Sequence, residues 1–313
     1  MSAPVSGPRR ILGQGPGFDA ARLTQQRTSE LIEVLRNGRE ALERAPGRAE
    51  TVYEMWEALE QLGRWGEAAS ALKTELRISG YGAAAAGETL ALDEVALVAV
   101  DCADPALSYG AMELSLSRCR FAEAVLFTDR SLGAPRARVE PIAAVDSESA
   151  YSEFIMKSLA HRVRAEHVLI VQWDGFVLDA DRWSDEFLLY DYIGAPWPHF
   201  ADGHNVGNGG FSLRSRRLLL ALQDPALAPA HPEDRAICRT YRRYLEDRHG
   251  IAFAPEEAAR AFSFELDVTD RATFGFHGMF HLPAVLADCA SLATFRFLDP
   301  LIERWQTDWR LRP

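Results

Sequence analysis

The sequence lacks any apolar run near the roughly 20 residues that a membrane-crossing helix needs. Its opening, MSAPVSGPRRILGQGPG, has no apolar core of a secretory signal. Neither a membrane span nor export is expected. Cysteine is scarce, and Cys102, Cys119, Cys238 and Cys289 show no CxxC spacing. That excludes a thiolate zinc site or a disulfide scaffold, and it leaves reduced thiols in a cytoplasmic protein as the expectation. Basic charge is in deficit: 34 Lys and Arg stand against 45 Asp and Glu, a formal charge of −11. Nucleic acid or an anionic membrane is therefore not expected as the main partner. A phosphate-bearing ligand would have to be held at one local site.

What is present is globular text. The 313 residues are 48% hydrophobic and 25% charged. That length suits a core domain with an appendage. Residues 1–18 are rich in Gly, Pro and Ser and read as a flexible leader. Residues 19–90 read as helical. Leu31, Ile32 and Leu35 share one face, Pro46-Gly47 breaks the run, and Trp56, Leu59, Leu62, Trp65, Ala68 and Leu72 recur at helical spacing. The stretch MWEALEQLGRWGEAASAL resembles one tetratricopeptide repeat, with Gly63 placed for close helix crossing and Trp65 filling the gap. Stable arrays need about three repeats. A helical hairpin is thus expected in preference to a peptide-binding platform. Gly80, Gly82 and the Ala-rich stretch to Gly87 read as a linker.

From residue 94 the pattern alternates between strands and helices. VALVAVD (95–101), AVLFTDR (124–130) and HVLIVQWD (167–174) are apolar β-branched runs, separated by helices predicted over 105–120 and 147–164. Continuous apolar strands in βαβαβ order imply an α/β fold, a mainly parallel sheet flanked by helices. Ligands of such sheets sit beyond the carboxyl ends of the strands. Asp101, Thr128-Asp129 and Gln172 to Asp174 all fall there.

Four segments can carry chemistry, and each also has a plainer reading. Asp174, after the strongest strand, is a presented carboxylate or a turn residue. Gly207-Asn208-Gly209-Gly210 is a ligand-approach loop or a tight turn, and it is neither a dinucleotide GxGxxG nor a Walker A loop. Glu233 and Asp234 after Pro232 are a general base or an ordinary acidic helix start. His277, among aromatics and glycine, is a ligand or a core histidine, with His281 as its local competitor. The arginines Arg214, Arg216 and Arg217, with Arg239, Arg242 and Arg243, read as solvated helix faces; alternatively Arg214 clamps a diphosphate.

The order of these segments is more specific than any one of them. QWDGF, YIGAPW, VGNGGFSLRS, HPED and FGFHG, spread over residues 94–285, resemble the blocks of bacterial glycosyltransferase-like domains of the GT-A fold. The resemblance implies a GT-A-like α/β domain with a Rossmann-like nucleotide half. It implies transfer of a sugar from a UDP- or GDP-linked donor to an acceptor hydroxyl, with Mn²⁺ or Mg²⁺. The acceptor, whether glycan, lipid-linked sugar, small molecule or protein, stays open. In the metal- and ribose-binding D-x-D position stand Gln172, Trp173 and Asp174, so the first acid is an amide. His277 matches the late metal ligand. Asp234, or Glu233 beside it, matches the base, which implies inversion. Gly209, Gly210 and Arg214 match the donor pocket, and Asp101 and Asp129 match nucleoside-contact regions. Trp173, Trp197 and Phe211 are candidates for stacking on a ring. The rival from another class is a catalytically silent scaffold that binds a partner through its helical N-terminus. A nucleotidyltransferase is a third reading, disfavoured because VALVAVDCADP carries an acid where a basic glycine loop is usual. The tail, 286–313, stays unassigned.

Overall fold

The computed structural model describes residues 25–82, 89–134, 136–266 and 272–310; the expected leader and most of the expected linker lie outside them. In chain order the helices are α1 (Gln25–Arg44), α2 (Ala49–Gln61), α3 (Trp65–Ser79), α4 (Pro105–Arg118), α5 (Glu148–Glu153), α6 (Arg216–Ala221), α7 (Glu233–Arg235), α8 (Arg242–His249), α9 (Glu256–Phe262), α10 (Leu282–Val285), α11 (Ala290–Ala293) and α12 (Asp299–Arg310). The strands are β1 (Leu90–Val100), β2 (Cys119–Thr128), β3 (Arg138–Pro141), β4 (His167–Val171), β5 (Tyr192–Gly194), β6 (Phe211–Ser215), β7 (Ser263–Phe264) and β8 (Gly275–Phe276). The chain forms two compact units, residues 1–75 with 280–313 and residues 76–279.

The first unit is helical. Leu31, Leu35 and Leu42 of α1 and Val52, Met55, Trp56 and Leu59 of α2 are buried on the faces that their spacing marks out. Trp56 is fully buried between Trp65 (ring centroids 4.8 Å apart) and Phe295 (5.6 Å). A two-helix hairpin has too little surface to enclose an indole. The C-terminal tail supplies the rest through Leu292, Phe295, Leu298 and Trp305. At the rim Arg39 donates to Asp299 (2.7 Å) and Glu43 (3.0 Å). Helix α2 packs on α1 and α10, and its Trp56 also meets Trp65 of α3. Gly63, with φ of 66°, turns the chain between α2 and α3.

The second unit is the expected α/β fold: a mainly parallel sheet flanked by helices. Its six strands run in the order β3-β2-β1-β4-β6-β5. β1 is parallel to β2 and β4, and β2 is parallel to β3, whereas β6 is antiparallel to both β4 and β5. The unbroken apolar runs of β1 and β4 are explained by burial on both faces. Alternate residues Leu97, Ala99, Leu169 and Val171 pack with α4 and α9 side chains such as Met112 and Phe262. Their neighbours Ala96, Val98, Val168 and Ile170 pack with Phe154, Ile155 and Leu159. The helix predicted over 147–164 is shorter than expected. Ser147 caps α5 by accepting from the Ala150 N–H (3.2 Å), and a π turn (154–158) and a 3-10 turn (159–161) follow.

Candidate functional site

The site is built where β4 ends. β4 and β6 pair so that Val171 stands opposite Phe211. The next residue of each chain is then forced together, and the Gln172 N–H donates to the Gly210 carbonyl (2.9 Å). Beyond it the chain turns back, with the Gly175 N–H donating to the Gln172 carbonyl (3.1 Å). The Tyr81 hydroxyl donates to the Trp173 carbonyl (2.6 Å) and fixes the turn from outside. An antiparallel bridge between Val177 and Gly275 ties this segment to β8.

β7 and β8 bring the late histidine in. Their parallel register sets Ser263 beside Gly275 and Phe264 beside Phe276, so Glu265 and His277 follow side by side. The His277 N–H donates to the Phe264 carbonyl (3.0 Å), and the Gly278 N–H donates to the Asp174 carbonyl (3.0 Å). The ring is engaged from both edges. Nε2 lies 3.3 Å from Asp174 Oδ1 and 3.2 Å from Gln172 Oε1, while Nδ1 lies 2.9 Å from Glu265 Oε1. Burial alone would lower the pKa of His277. The carboxylates of Asp174 and Glu265 outweigh it and hold the imidazolium well above the usual histidine range.

The amide at 172 has a local reason. Gln172 Nε2 donates to the Tyr151 hydroxyl (3.2 Å) while Oε1 faces His277. An ionised acid at this position has no proton to donate.

The acidic pair divides into two roles. Glu233 is 5% exposed and accepts from Arg214 Nη2 (2.9 Å). Arg214 itself is fully buried, lies over the Tyr192 ring, and donates through Nε to Ser212 (3.1 Å). Asp234 is half-buried and accepts from the Gly209 N–H (3.0 Å) and from the Arg235 N–H (2.7 Å). Burial, with the neighbouring charge of Glu233, pushes the Asp234 carboxyl up to about 6. A Cβ at Gly209 would stand 2.6 Å from Glu233 Oε1, so a larger residue there would displace the Glu233 carboxylate.

The structure therefore brings together Gln172, Asp174, Gly209, Gly210, Asp234 and His277. Several expectations are corrected. Arg214 is not on a solvated face; as the buried partner of Glu233, it supports the loop from within. Arg242 is also buried, lying over the Phe253 ring (4.4 Å). Phe211 and Trp197 belong to the core and offer no free face, because Phe211 is enclosed by Phe262 and Phe274 and Trp197 is 5% exposed. Asp101 is committed to the start of α4, accepting from Ala103 N–H (2.8 Å), Asp104 N–H (2.7 Å) and Ser108 Oγ (2.6 Å). Asp129 follows β2 beside Arg130, 3.8 Å away. His281 belongs to the helical unit, fully buried against the Tyr53 hydroxyl (2.7 Å).

Tyr81, Tyr151 and Glu265 were not singled out from sequence. Asn208, read there only as part of the glycine cluster, adopts a positive φ of 62° that an amide residue suits. Its Oδ1 accepts from the Phe211 N–H (3.1 Å) and so closes the loop.

Among the described residues, no group of three or more His, Cys, Asp or Glu side chains is arranged to hold a metal ion. Asp174 Oδ1 and His277 Nε2 nevertheless face one another across 3.3 Å, with the Gln172 amide oxygen beside them. A carboxylate and an amide oxygen, with the imidazole once Nε2 gives up its proton, are ligand types that would suit Mn²⁺ or Mg²⁺ alongside phosphate oxygens and water.

A family model described as "Protein of unknown function (DUF5672)" matches residues 136–277. No curated protein matches the chain. Among solved structures, the mannosyltransferase PcManGT from Pyrobaculum calidifontis, in complex with GDP-Man and Mn²⁺, is similar at 10% identity and a TM-score of 0.36, over 79% of this chain and 85% of that one.

Proposed function

We propose that the protein is a nucleotide-sugar-dependent glycosyltransferase, inverting at the anomeric carbon. The observation that carries this is convergence. Four blocks far apart in sequence, at 172–174, 208–210, 233–234 and 277, meet at the carboxyl end of one strand through the contacts given above. These are the blocks on which the glycosyltransferase resemblance rests. A turn residue, a tight loop, a helix start and a core histidine have no reason to meet in one place.

Asp234 is the base. Its carboxylate is held by two backbone N–H groups, is partly open to solvent, and is largely ionised at neutral pH with a pKa near 6. It accepts the proton of the acceptor hydroxyl as that oxygen attacks the sugar carbon from the face opposite the leaving diphosphate. General-base help of this kind is worth roughly 10²–10⁴-fold. Glu233 is spent on Arg214 and keeps the loop in position. Asp174 and His277 are the residues to hold a divalent ion with the donor diphosphate. When bound, Mn²⁺ or Mg²⁺ supplies Lewis-acid stabilisation of the charge on the leaving group. Gln172 contributes an oxygen without a charge and orients Nε2 of His277.

Calorimetry with UDP and with GDP, each with and without Mn²⁺, tests the proposal. Binding of one nucleotide that strengthens with Mn²⁺ is expected. Absence of binding in all four titrations would overturn the transferase reading and leave the scaffold reading in its place.

A further inference from the structure

We infer that Glu265 is a positioning residue for the site: by accepting the Nδ1–H of His277 it turns the other ring nitrogen, Nε2, toward Asp174 and Gln172. The inference rests on the transferase reading for its purpose, but the geometry stands by itself. The β7–β8 register places Glu265 beside His277, and Glu265 Oε1 lies 2.9 Å from Nδ1. Nε2 is then left facing two oxygens, at 3.3 Å and 3.2 Å.

The ring has little freedom to do otherwise. Its backbone is tied to Phe264, and the Gly210 α-carbon lies against its imidazole edge. What is decided at Nδ1 is whether that nitrogen carries a proton. Two neighbours of Nδ1 pull in opposite directions. The Asn208 Nδ2 donor, 3.0 Å away, favours a bare Nδ1, while the Glu265 carboxylate requires a protonated one. A charge-assisted bond is about twice as strong as a neutral one, so Glu265 prevails. The consequence is a carboxylate–imidazole pair of the kind that fixes tautomer and orientation in metal sites. Glu265 itself touches neither donor nor metal.

The test uses the full chain with ¹⁵N-labelled histidine. Long-range ¹H–¹⁵N spectra of the metal-free protein should show a protonated Nδ1 at His277 in the wild type. In Glu265→Ala, the Asn208 amide should take over and Nδ1 should become bare. Glu265→Gln keeps an acceptor oxygen and should retain the protonated Nδ1. In a second arm, Mn²⁺ affinity in the presence of GDP or UDP, read by electron paramagnetic resonance, should fall about 10–100-fold in Glu265→Ala and less in Glu265→Gln. A His277 Nδ1 that is bare in the wild type, or still protonated in Glu265→Ala, would overturn the inference. If the wild type binds no Mn²⁺ or nucleotide, the transferase reading falls, while the spectra still decide the role of Glu265.

Discussion

Gly210 presses its bare α-carbon against the imidazole of His277, with no space for a methyl group between them. Two blocks 67 residues apart in sequence are thereby fitted to one another (277 − 210 = 67). Gly210→Ala should displace the ring. Overpacking of this kind costs about 1–3 kcal/mol. The variant is expected to fold with a lowered midpoint in urea and to lose Mn²⁺-dependent nucleotide binding in calorimetry. Unchanged nucleotide binding would show that the position of His277 does not matter.

Asp234 should be the residue that sets the acid limb of the pH–rate profile. Its folded-state carboxyl titrates near 6, above the ordinary value of 3.8. A base works only when ionised, so the rate should rise as pH passes through about 6 and then level off. The linkage sign runs the other way for stability. The native state holds this proton more tightly than the unfolded chain does, so the contribution is full below the unfolded value and is lost as pH rises through 6. Asp234→Asn should lower kcat by roughly 10²–10⁴-fold with little change in donor KM. Steady-state kinetics over pH 5 to 8 with a turned-over sugar nucleotide checks both.

Arg214 and Glu233 form a buried pair at 2.9 Å. Removing one partner of such a pair typically costs about 3–5 kcal/mol, because the other charge is left uncompensated. Arg214→Ala should therefore destabilise the protein by about that amount in urea denaturation. Arg235→Ala, on the exposed side of the same turn, should change stability by less than about 0.5 kcal/mol.

Much of the fold was legible in the sequence, for a physical reason. A stretch of strand covered on both faces by helices favours an unbroken apolar run, and residues 95–100 of β1 and 168–171 of β4 advertise this. Short strands such as β3 and β5 bury too few residues to leave a pattern, and they were not anticipated. The two-stranded β7–β8 ribbon was missed on the same ground, and Glu265 with it, since only the register of that ribbon sets Glu265 beside His277. Arg214 was misjudged because charge density along a chain says nothing of which way a strand residue points. It lies on β6, whose five residues are all buried, next to a buried carboxylate that lies 19 residues later. The C-terminal tail had no evident role until Phe295 was seen to cover Trp56.

Gln172 offers a test of why the metal position carries an amide. Gln172→Glu restores a carboxylate of similar size but loses the proton shared with Tyr151. The added negative charge beside Asp174 should raise Mn²⁺ affinity in the absence of nucleotide, by about tenfold, since ligand charge tunes divalent-ion binding. Electron paramagnetic resonance titration of free Mn²⁺ checks this.

The most direct measurement is a crystal structure grown with Mn²⁺ and either UDP or GDP, with the ion located by its anomalous signal. The expected result is one Mn²⁺ ligated by Asp174 and by Nε2 of His277, sharing the nucleotide's phosphates, with Asp234 facing the space where the sugar would sit. Nucleotide bound elsewhere, or an ion that touches neither Asp174 nor His277, would contradict the assignment of this site to sugar transfer.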